Sequence, residues 1–125
     1  LINIVRQRAG ATPISSANYA SLMKAPKVYD LPFISDSDEQ GKVRTALYWE
    51  RGFELAFEGQ RKYDLVRWNV LGDALVLFQS KMSSKIKDLY VAGTNFVKGK
   101  HELFPIPLTE LQANPNLENK QNPGY

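Results

Sequence analysis

The fold is decided by residues 50–68, which read ERGFELAFEGQRKYDLVRW. Acidic side chains recur every four residues at Glu50, Glu54 and Glu58, the spacing that places them along one ridge of an α-helix. Gly59 interrupts this pattern and indicates a left-handed cap or a kink. We therefore predict two consecutive helical segments that meet at this junction.

The acidic ridge lies beside apolar positions, so its carboxylates do not belong to a cleanly solvated helix face. Arginine suits such a place because its planar fork bonds a carboxylate through paired hydrogen bonds. We predict a partly buried ion-pair network in which Arg51, Arg61 and Arg67 are the partners of the glutamates. The residues assigned to this structural motif are Glu50, Arg51, Glu54, Glu58, Gly59, Arg61, Asp64, Arg67 and Trp68.

Two chemical interpretations compete with this structural one. Glu50 and Glu54 would have to flank a substrate to act as a glycosidase pair, but side chains one helical turn apart point the same way. A di-iron type of site needs a histidine three residues after a carboxylate, whereas His101 is the only histidine and is distant in sequence. We therefore predict no catalytic residue, no metal ligand and no cofactor.

Aromatic residues are the other candidates for a binding role, because flat rings stack on sugars. Trp49 and Trp68 fall at helical spacing within the network and are expected to be core or lid residues. Tyr90 and Phe96 fall in a loop rich in lysine and glycine, and they are the candidate ligand-binding residues. The sequence leaves the actual ligand contacts unknown.

The rest of the chain is predicted to be mainly helical, with long ordered loops and little strand. A helix over residues 1–9 should be closed by Gly10, and Ser37 or Asp38 should cap a helix that runs to about Glu58. The other predicted helices are a short one at Asn18–Lys24, one from Gln60 to about Leu71 that Gly72 ends, and one from Ala74 to about Ser80 that Asp73 caps. Residues 83–102 are predicted to form a loop with a short strand at Leu89–Val91. A helical turn is predicted to end at Ala113. The proline-rich tail after it should lack regular structure.

The amino-acid composition of the chain argues against several kinds of protein and site. The 125 residues carry a net charge of +3, with basic and acidic residues interleaved, so no nucleic-acid-binding stripe is expected. The chain has no cysteine, which excludes disulfides, thiolate zinc sites and cysteine nucleophiles. No apolar run is long enough to span a membrane. Because the sequence starts at Leu1 in mid-pattern, we expect that an upstream part is missing.

Three stretches resemble the SusD/RagB family in the family's own order. Residues 50–68 are similar to its signature, in which ELAFEG and an arginine precede an aromatic residue, Asp-Leu and Arg-Trp. Residues 103–125, LFPIPLTELQANPNLENKQNPGY, resemble its carboxyl-terminal end, and residues 2–10, INIVRQRAG, resemble its last repeat helix. Four residues depart from the signature, namely Gly52, Phe53, Lys62 and Asn69.

This resemblance implies that residues 1–125 are a SusD/RagB-like C-terminal domain of a tetratricopeptide-repeat-containing fold. The repeats, signal and lipid anchor would precede it. Such proteins sit at the outer-membrane surface, bind oligosaccharides or other nutrients without cleaving them, and partner a SusC-like TonB-dependent transporter. The resemblance implies that the matched motif residues are structural, and that the ligand contacts lie mainly in variable loops, many of them upstream. An alternative is therefore a scaffold or docking segment with ligand binding located elsewhere, and a glycoside hydrolase is a remote one.

Overall fold

A computed structural model describes residues 1–24, 30–82, 92–118 and 120–125. The chain divides into two compact units, Leu1–Arg61 and Lys62–Tyr125. Each unit is built mainly from α-helices, and the described residues contain no β-strand. None of the described helices is long and apolar enough to cross a membrane.

In the residues that the structure describes, six α-helices account for most of the regular structure. They are α1 Ile2–Arg8, α2 Glu39–Glu54, α3 Arg61–Arg67, α4 Leu71–Lys81, α5 Ala92–Asn95 and α6 Leu108–Ala113. A π-helical turn at Ala20–Lys24 lies between α1 and α2, and a 3-10 turn at Pro115–Leu117 follows α6. The mainly helical fold predicted from the sequence is confirmed.

The first helix ends as its sequence predicts. Gly10 has a φ of 71°, and its N–H donates to the Gln7 carbonyl at 3.1 Å. The next N–H, from Ala11, reaches back to the Arg6 carbonyl at 2.8 Å. These two bonds form a Schellman cap, which satisfies carbonyls that the helix itself leaves unpaired.

Helix α2 starts where the capping signal predicts and ends earlier than predicted. The Asp38 carboxylate accepts a hydrogen bond from the Gly41 N–H at 2.6 Å and so caps the first turn. The helix ends at Glu54 and does not reach Glu58. Phe57 has a φ of 66°, a conformation that a helix cannot contain, so the prediction of one continuous ridge was wrong in its last turn.

The core of the first unit lies between α2 and the connection that precedes it. Its buried apolar side chains belong to Tyr19, Met23, Leu31, Ala46 and Tyr48. The short helix predicted at Asn18–Lys24 is present as the π-helical turn, and that turn supplies the nearly inaccessible Met23.

The second unit has its helix boundary at a different residue from the predicted one. Asn69 has a φ of 57°, and the N–H of Val70 bonds to the Leu65 carbonyl at 2.9 Å, so α3 ends in a Schellman cap built on asparagine. Gly72, which was predicted to end this helix, instead lies in the first turn of α4. The prediction that Asp73 starts α4 was wrong for the same reason.

The segment predicted as one long loop contains a helix. Helix α5 packs against α4, and a Cβ added to Gly93 would lie 3.0 Å from the Leu75 carbonyl oxygen. Glycine therefore permits the close approach of the two backbones. The strand predicted at Leu89–Val91 falls outside the described residues.

The tail folds back on the proline turn that precedes α6. The Gln121 side-chain amide both accepts from the Ile106 N–H, at 2.7 Å, and donates to the Ile106 carbonyl, at 2.9 Å. The Tyr125 hydroxyl donates to the Leu103 carbonyl at 3.1 Å. The tail is therefore ordered by side chains, and its 3-10 turn at Pro115–Leu117 contradicts the prediction that it has no regular structure.

Candidate functional site

Glu50, on the acidic ridge, pairs with an arginine outside residues 50–68. Glu50 forms an ion pair with Arg6 of α1, and the two side chains are only 12% and 11% exposed. Arg6 also donates from Nε to the Thr12 carbonyl at 2.6 Å. This guanidinium therefore joins α1, the turn after it and α2 through charge-assisted hydrogen bonds.

A second pair lies one helical turn further along the ridge. Glu54 pairs with Arg8 of α1, and these side chains are 40% and 66% exposed. Both carboxylates thus bond to the first helix, 44 and 46 residues away in sequence. Local spacing within residues 50–68 contains no signal for such a distant pairing, which is why the sequence analysis missed Arg6 and Arg8.

Arg61 stabilises the same unit through a different kind of contact. Its Nη1 donates to the Tyr48 carbonyl at 2.7 Å, and its guanidinium carbon lies 3.8 Å from the centroid of the Tyr48 ring. The guanidinium also lies beside Gly52, where an added Cβ would be 3.5 Å away. Glycine at position 52, a departure from the family signature, thus lies against a stacked arginine.

An aromatic cluster surrounds this contact. Tyr48 packs edge-on to both Phe33 and Trp49, with ring centroids 5.9 and 5.2 Å apart. Trp49 stacks on Phe53 at 6.0 Å. Trp49 is half-buried, and Phe53 is 54% exposed.

The remaining motif residues are divided between the two units. Gly59 has a φ of 73° and so takes the left-handed conformation predicted for it, and Glu58 is exposed. In the second unit, Asp64 is 4% exposed and pairs with Arg67 at 3.0 Å. The Arg67 guanidinium carbon lies 5.7 Å from the Trp68 ring centroid.

A polar cluster of Tyr19, Lys24 and Asp36 joins the π-helical turn to the segment before α2. The sequence-based predictions did not include it. The Asp36 carboxylate accepts from the Lys24 ammonium at 2.7 Å and from the Tyr19 hydroxyl at 2.9 Å. The hydrogen bond from Lys24 lowers the pKa of Asp36, and the same bond raises the pKa of Lys24. Burial raises the pKa of the Tyr19 hydroxyl.

The second unit contains an open groove of about 490 Å³ between α3, α4 and the segment after α5. Phe96, a predicted ligand-binding residue, lines this groove and is half-buried. Its ring packs on Gly72, where an added Cβ would lie 2.7 Å from the Phe96 Cε1 atom. Tyr90, the other candidate, lies outside the described residues.

The first unit has a groove of similar size, about 470 Å³, lined in part by Ile2, Ile14 and Val43.

Within the part of the chain that the structure describes, no three His, Cys, Asp or Glu side chains come together in a way that would hold a metal ion. Among the polar motif residues, Glu50 and Glu54 bond to arginines of α1, Arg61 bonds to a backbone carbonyl, and Asp64 bonds to Arg67.

Comparison with known proteins agrees with the sequence resemblance. A family model described as the SusD family matches residues 1–125. A curated SusD-like protein of Formosa agariphila is 40% identical over 90 residues. The match covers 70% of this chain but 15% of that relative, so the chain spans only a small part of the relative's length. No solved structure matches the chain.

Proposed function

Because this chain belongs to the SusD family, we propose that it acts in the non-catalytic capture of a glycan or other nutrient at the outer-membrane surface. Capture would take place in complex with a SusC-like TonB-dependent transporter, and a lipid anchor would hold the protein at the membrane. The observation that carries this proposal is the match of the family model to residues 1–125. Residues 1–125 would form the C-terminal domain of such a protein.

The contacts of Glu50 and Glu54 argue against a catalytic role for these two carboxylates. Glu50 is bonded to a nearly buried arginine, and Glu54 is bonded to a second arginine on the same helix. A pair of carboxylates for glycoside cleavage has to lie on opposite sides of a substrate, whereas both of these carboxylates are bonded to arginines of a single helix. We therefore assign these carboxylates to the scaffold.

The proposal is tested on the natural polypeptide that carries this sequence. Calorimetric titration against a panel of oligosaccharides should show binding, and chromatography of the incubated sugars should show them intact. Affinity purification from outer membranes should recover a TonB-dependent transporter. Absence of both glycan binding and a transporter would refute the proposal, and cleavage that Glu54→Gln abolishes would establish a hydrolase instead.

A second candidate function is a scaffold or docking segment whose ligand is bound elsewhere. It is favoured by the ion pairs of α1 with α2, in which the polar groups of the motif bond within the fold. On this hypothesis the transporter still co-purifies, while substitutions within residues 1–125 that preserve the fold leave glycan affinity unchanged. The glycan affinity of such variants therefore distinguishes the two candidate functions.

A further inference from the structure

The single histidine of the sequence closes the turn that follows α5. The Nδ1 atom of His101 accepts a hydrogen bond from the Val97 N–H at 2.8 Å. The backbone N–H of His101 donates to the Val97 carbonyl at 3.1 Å. His101 therefore bonds to both backbone groups of Val97, and its side chain supplies one of the two bonds.

The bond to Nδ1 exists only while the imidazole is neutral. A ring nitrogen accepts a hydrogen bond when it carries no proton, so the neutral ring of His101 holds its proton on Nε2. A second proton has to enter at Nδ1, where it meets the Val97 N–H. The imidazolium has two donors and no acceptor, so protonation breaks this bond. Histidine is also the side chain whose charge ordinarily changes between pH 5 and pH 8.

The groove of the second unit offers no negative charge to a protonated His101. His101 lines this groove together with Lys62 of α3, which is itself a cation. The side chains that α4 and α5 contribute to the lining are uncharged, and they belong to Leu71, Leu75 and Asn95. A second cation in this largely apolar lining is repelled by the first.

The charged residues on either side of His101 in sequence have contacts of their own. The Glu102 carboxylate accepts a hydrogen bond from the Gly99 N–H at 2.7 Å. The Lys100 Nζ atom lies 5.0 Å from the centroid of the Tyr125 ring. Glu102 thus closes a neighbouring turn that does not depend on the imidazole.

The contact between His101 and Phe96 does not require a neutral imidazole. The two ring centroids lie 5.9 Å apart. An aromatic ring attracts a cation at this distance, so Phe96 can keep its neighbour after protonation. Phe96 also packs on Gly72 of α4, a contact that involves no titratable group. The effect of protonation should therefore fall on the turn over residues 97–101 and leave α5 in place.

We infer that His101 is a pH-sensitive latch, whose neutral side chain holds the turn over residues 97–101 closed and whose protonation releases that turn beside the groove. The bond is present above the pH range in which the imidazole gains its second proton and is lost as the pH falls through that range. This inference goes beyond the proposed function and does not rest on it, because the latch needs no ligand.

Hydrogen exchange with residue resolution tests the inference on the natural polypeptide that carries this sequence. Exchange of the Val97 amide is measured at pH 7.5 and at pH 5, and each rate is divided by the rate of an unfolded reference peptide at the same pH. His101→Asn supplies a carbonyl oxygen in place of Nδ1 and does not titrate, whereas His101→Phe keeps a ring without an acceptor. The Ala11 amide, bonded to the Arg6 carbonyl at 2.8 Å in the first unit, is the internal control.

We expect the protection of the wild-type Val97 amide to fall about two- to tenfold from pH 7.5 to pH 5, as the loss of one hydrogen bond predicts. The protection of Ala11 should not change. His101→Asn should keep Val97 protected at both pH values, and His101→Phe should leave it poorly protected at both. If wild-type protection is equal at the two pH values, or if either variant shows the same fall as the wild type, the inference is overturned and the proposed function is unaffected.

Discussion

At the scale of single residues, two glycines in α2 occupy contrasting environments. Gly41 is buried, and an added Cβ would lie 2.0 Å from the Ser35 carbonyl oxygen and 2.8 Å from the Asp36 Cα. Both neighbours are backbone atoms that cannot turn aside. At Gly52 the nearest atom to an added Cβ is the Arg61 guanidinium carbon at 3.5 Å, which is ordinary van der Waals contact.

Alanine substitutions at these two glycines should therefore change stability in opposite directions. Gly41→Ala should lower the free energy of unfolding by about 2 kcal/mol or more, because the helix must move away from the preceding segment. Gly52→Ala should raise it by about 0.5–1 kcal/mol, because alanine restricts the unfolded chain. Urea denaturation of both variants measures the two effects, and a destabilised Gly52→Ala would show that Arg61 needs the space.

The Asp36 carboxylate predicts a dependence of stability on pH. Its pKa is lowered in the folded state, chiefly by the hydrogen bond from Lys24. The stabilisation is therefore present above the ordinary aspartate pKa of about 3.9 and is lost as the pH falls through the lower, folded-state pKa. Lys24, whose pKa is raised, loses its share only at alkaline pH, above its ordinary value of about 10.4.

Chemical denaturation at a series of pH values tests this expectation with Asp36→Asn. The variant should be less stable than the wild type at pH 7, by about 1 kcal/mol. The difference should shrink as the pH falls below the ordinary aspartate pKa of about 3.9, where the wild-type carboxylate becomes protonated. A difference that stays constant over that range would show that the charge of Asp36 makes no contribution to stability.

At the scale of helices, the two ion pairs that join α1 to α2 should have unequal energies. Arg6 and Glu50 are about one-tenth exposed, whereas Arg8 and Glu54 are 66% and 40% exposed. Removing one partner of a buried pair leaves an uncompensated charge, while exposed pairs contribute about 0–1 kcal/mol. Glu50→Gln should therefore lower the free energy of unfolding by about 2–3 kcal/mol, and Glu54→Gln by less than about 1 kcal/mol.

A double-mutant cycle on each pair separates the pairing from other effects of substitution. The coupling energy between Arg6 and Glu50 should exceed that between Arg8 and Glu54. The sequence alone marks Glu54 as equal to Glu50, because both lie on the same ridge. Equal coupling energies would mean that the two pairs are equivalent, as their spacing along the ridge suggests, and that the greater burial of Arg6 and Glu50 does not strengthen their pairing.

The helices show what local sequence can predict and where it fails. The start of α2 at Asp38 and the end of α1 at Gly10 follow from capping residues, whose effect extends over a few neighbours. The end of α3 was misplaced because Gly72 was taken as the terminating residue. Asn69 takes the left-handed conformation there, and Gly72 is required by the ring of Phe96, which is distant in sequence.

The candidate sites follow the same division between local and distant contacts. The motif residues are recognisable by their order, but the partners of Glu50 and Glu54 come from α1. The groove depends on α3, α4 and the segment after α5 coming together, and Lys62 was noted only as a departure from a signature. A pattern within one helix contains no information on which other segment will face it.

At the scale of the whole chain, the amount of buried apolar surface is small. Among the described residues no large side chain is less than 2% exposed. Several large apolar side chains are more than half exposed, including Val43 in the first unit and Val76 in the second. Exposed apolar surface of this extent favours association, and a domain with a thin core is marginally stable.

The isolated 125-residue chain should therefore self-associate and unfold over a broad temperature range. Sedimentation velocity should show a sedimentation coefficient that rises with concentration, and a dye that fluoresces on apolar surfaces should bind before the main unfolding transition. Val43→Glu and Val76→Glu, each more than half exposed in the wild type, should reduce association without loss of helical circular dichroism. Ala46→Glu is the contrasting variant, because Ala46 is 4% exposed and a charge there should unfold the first unit. A chain that stays monomeric at all concentrations and unfolds in one sharp transition would show that these two small units are sufficient by themselves for a stable fold.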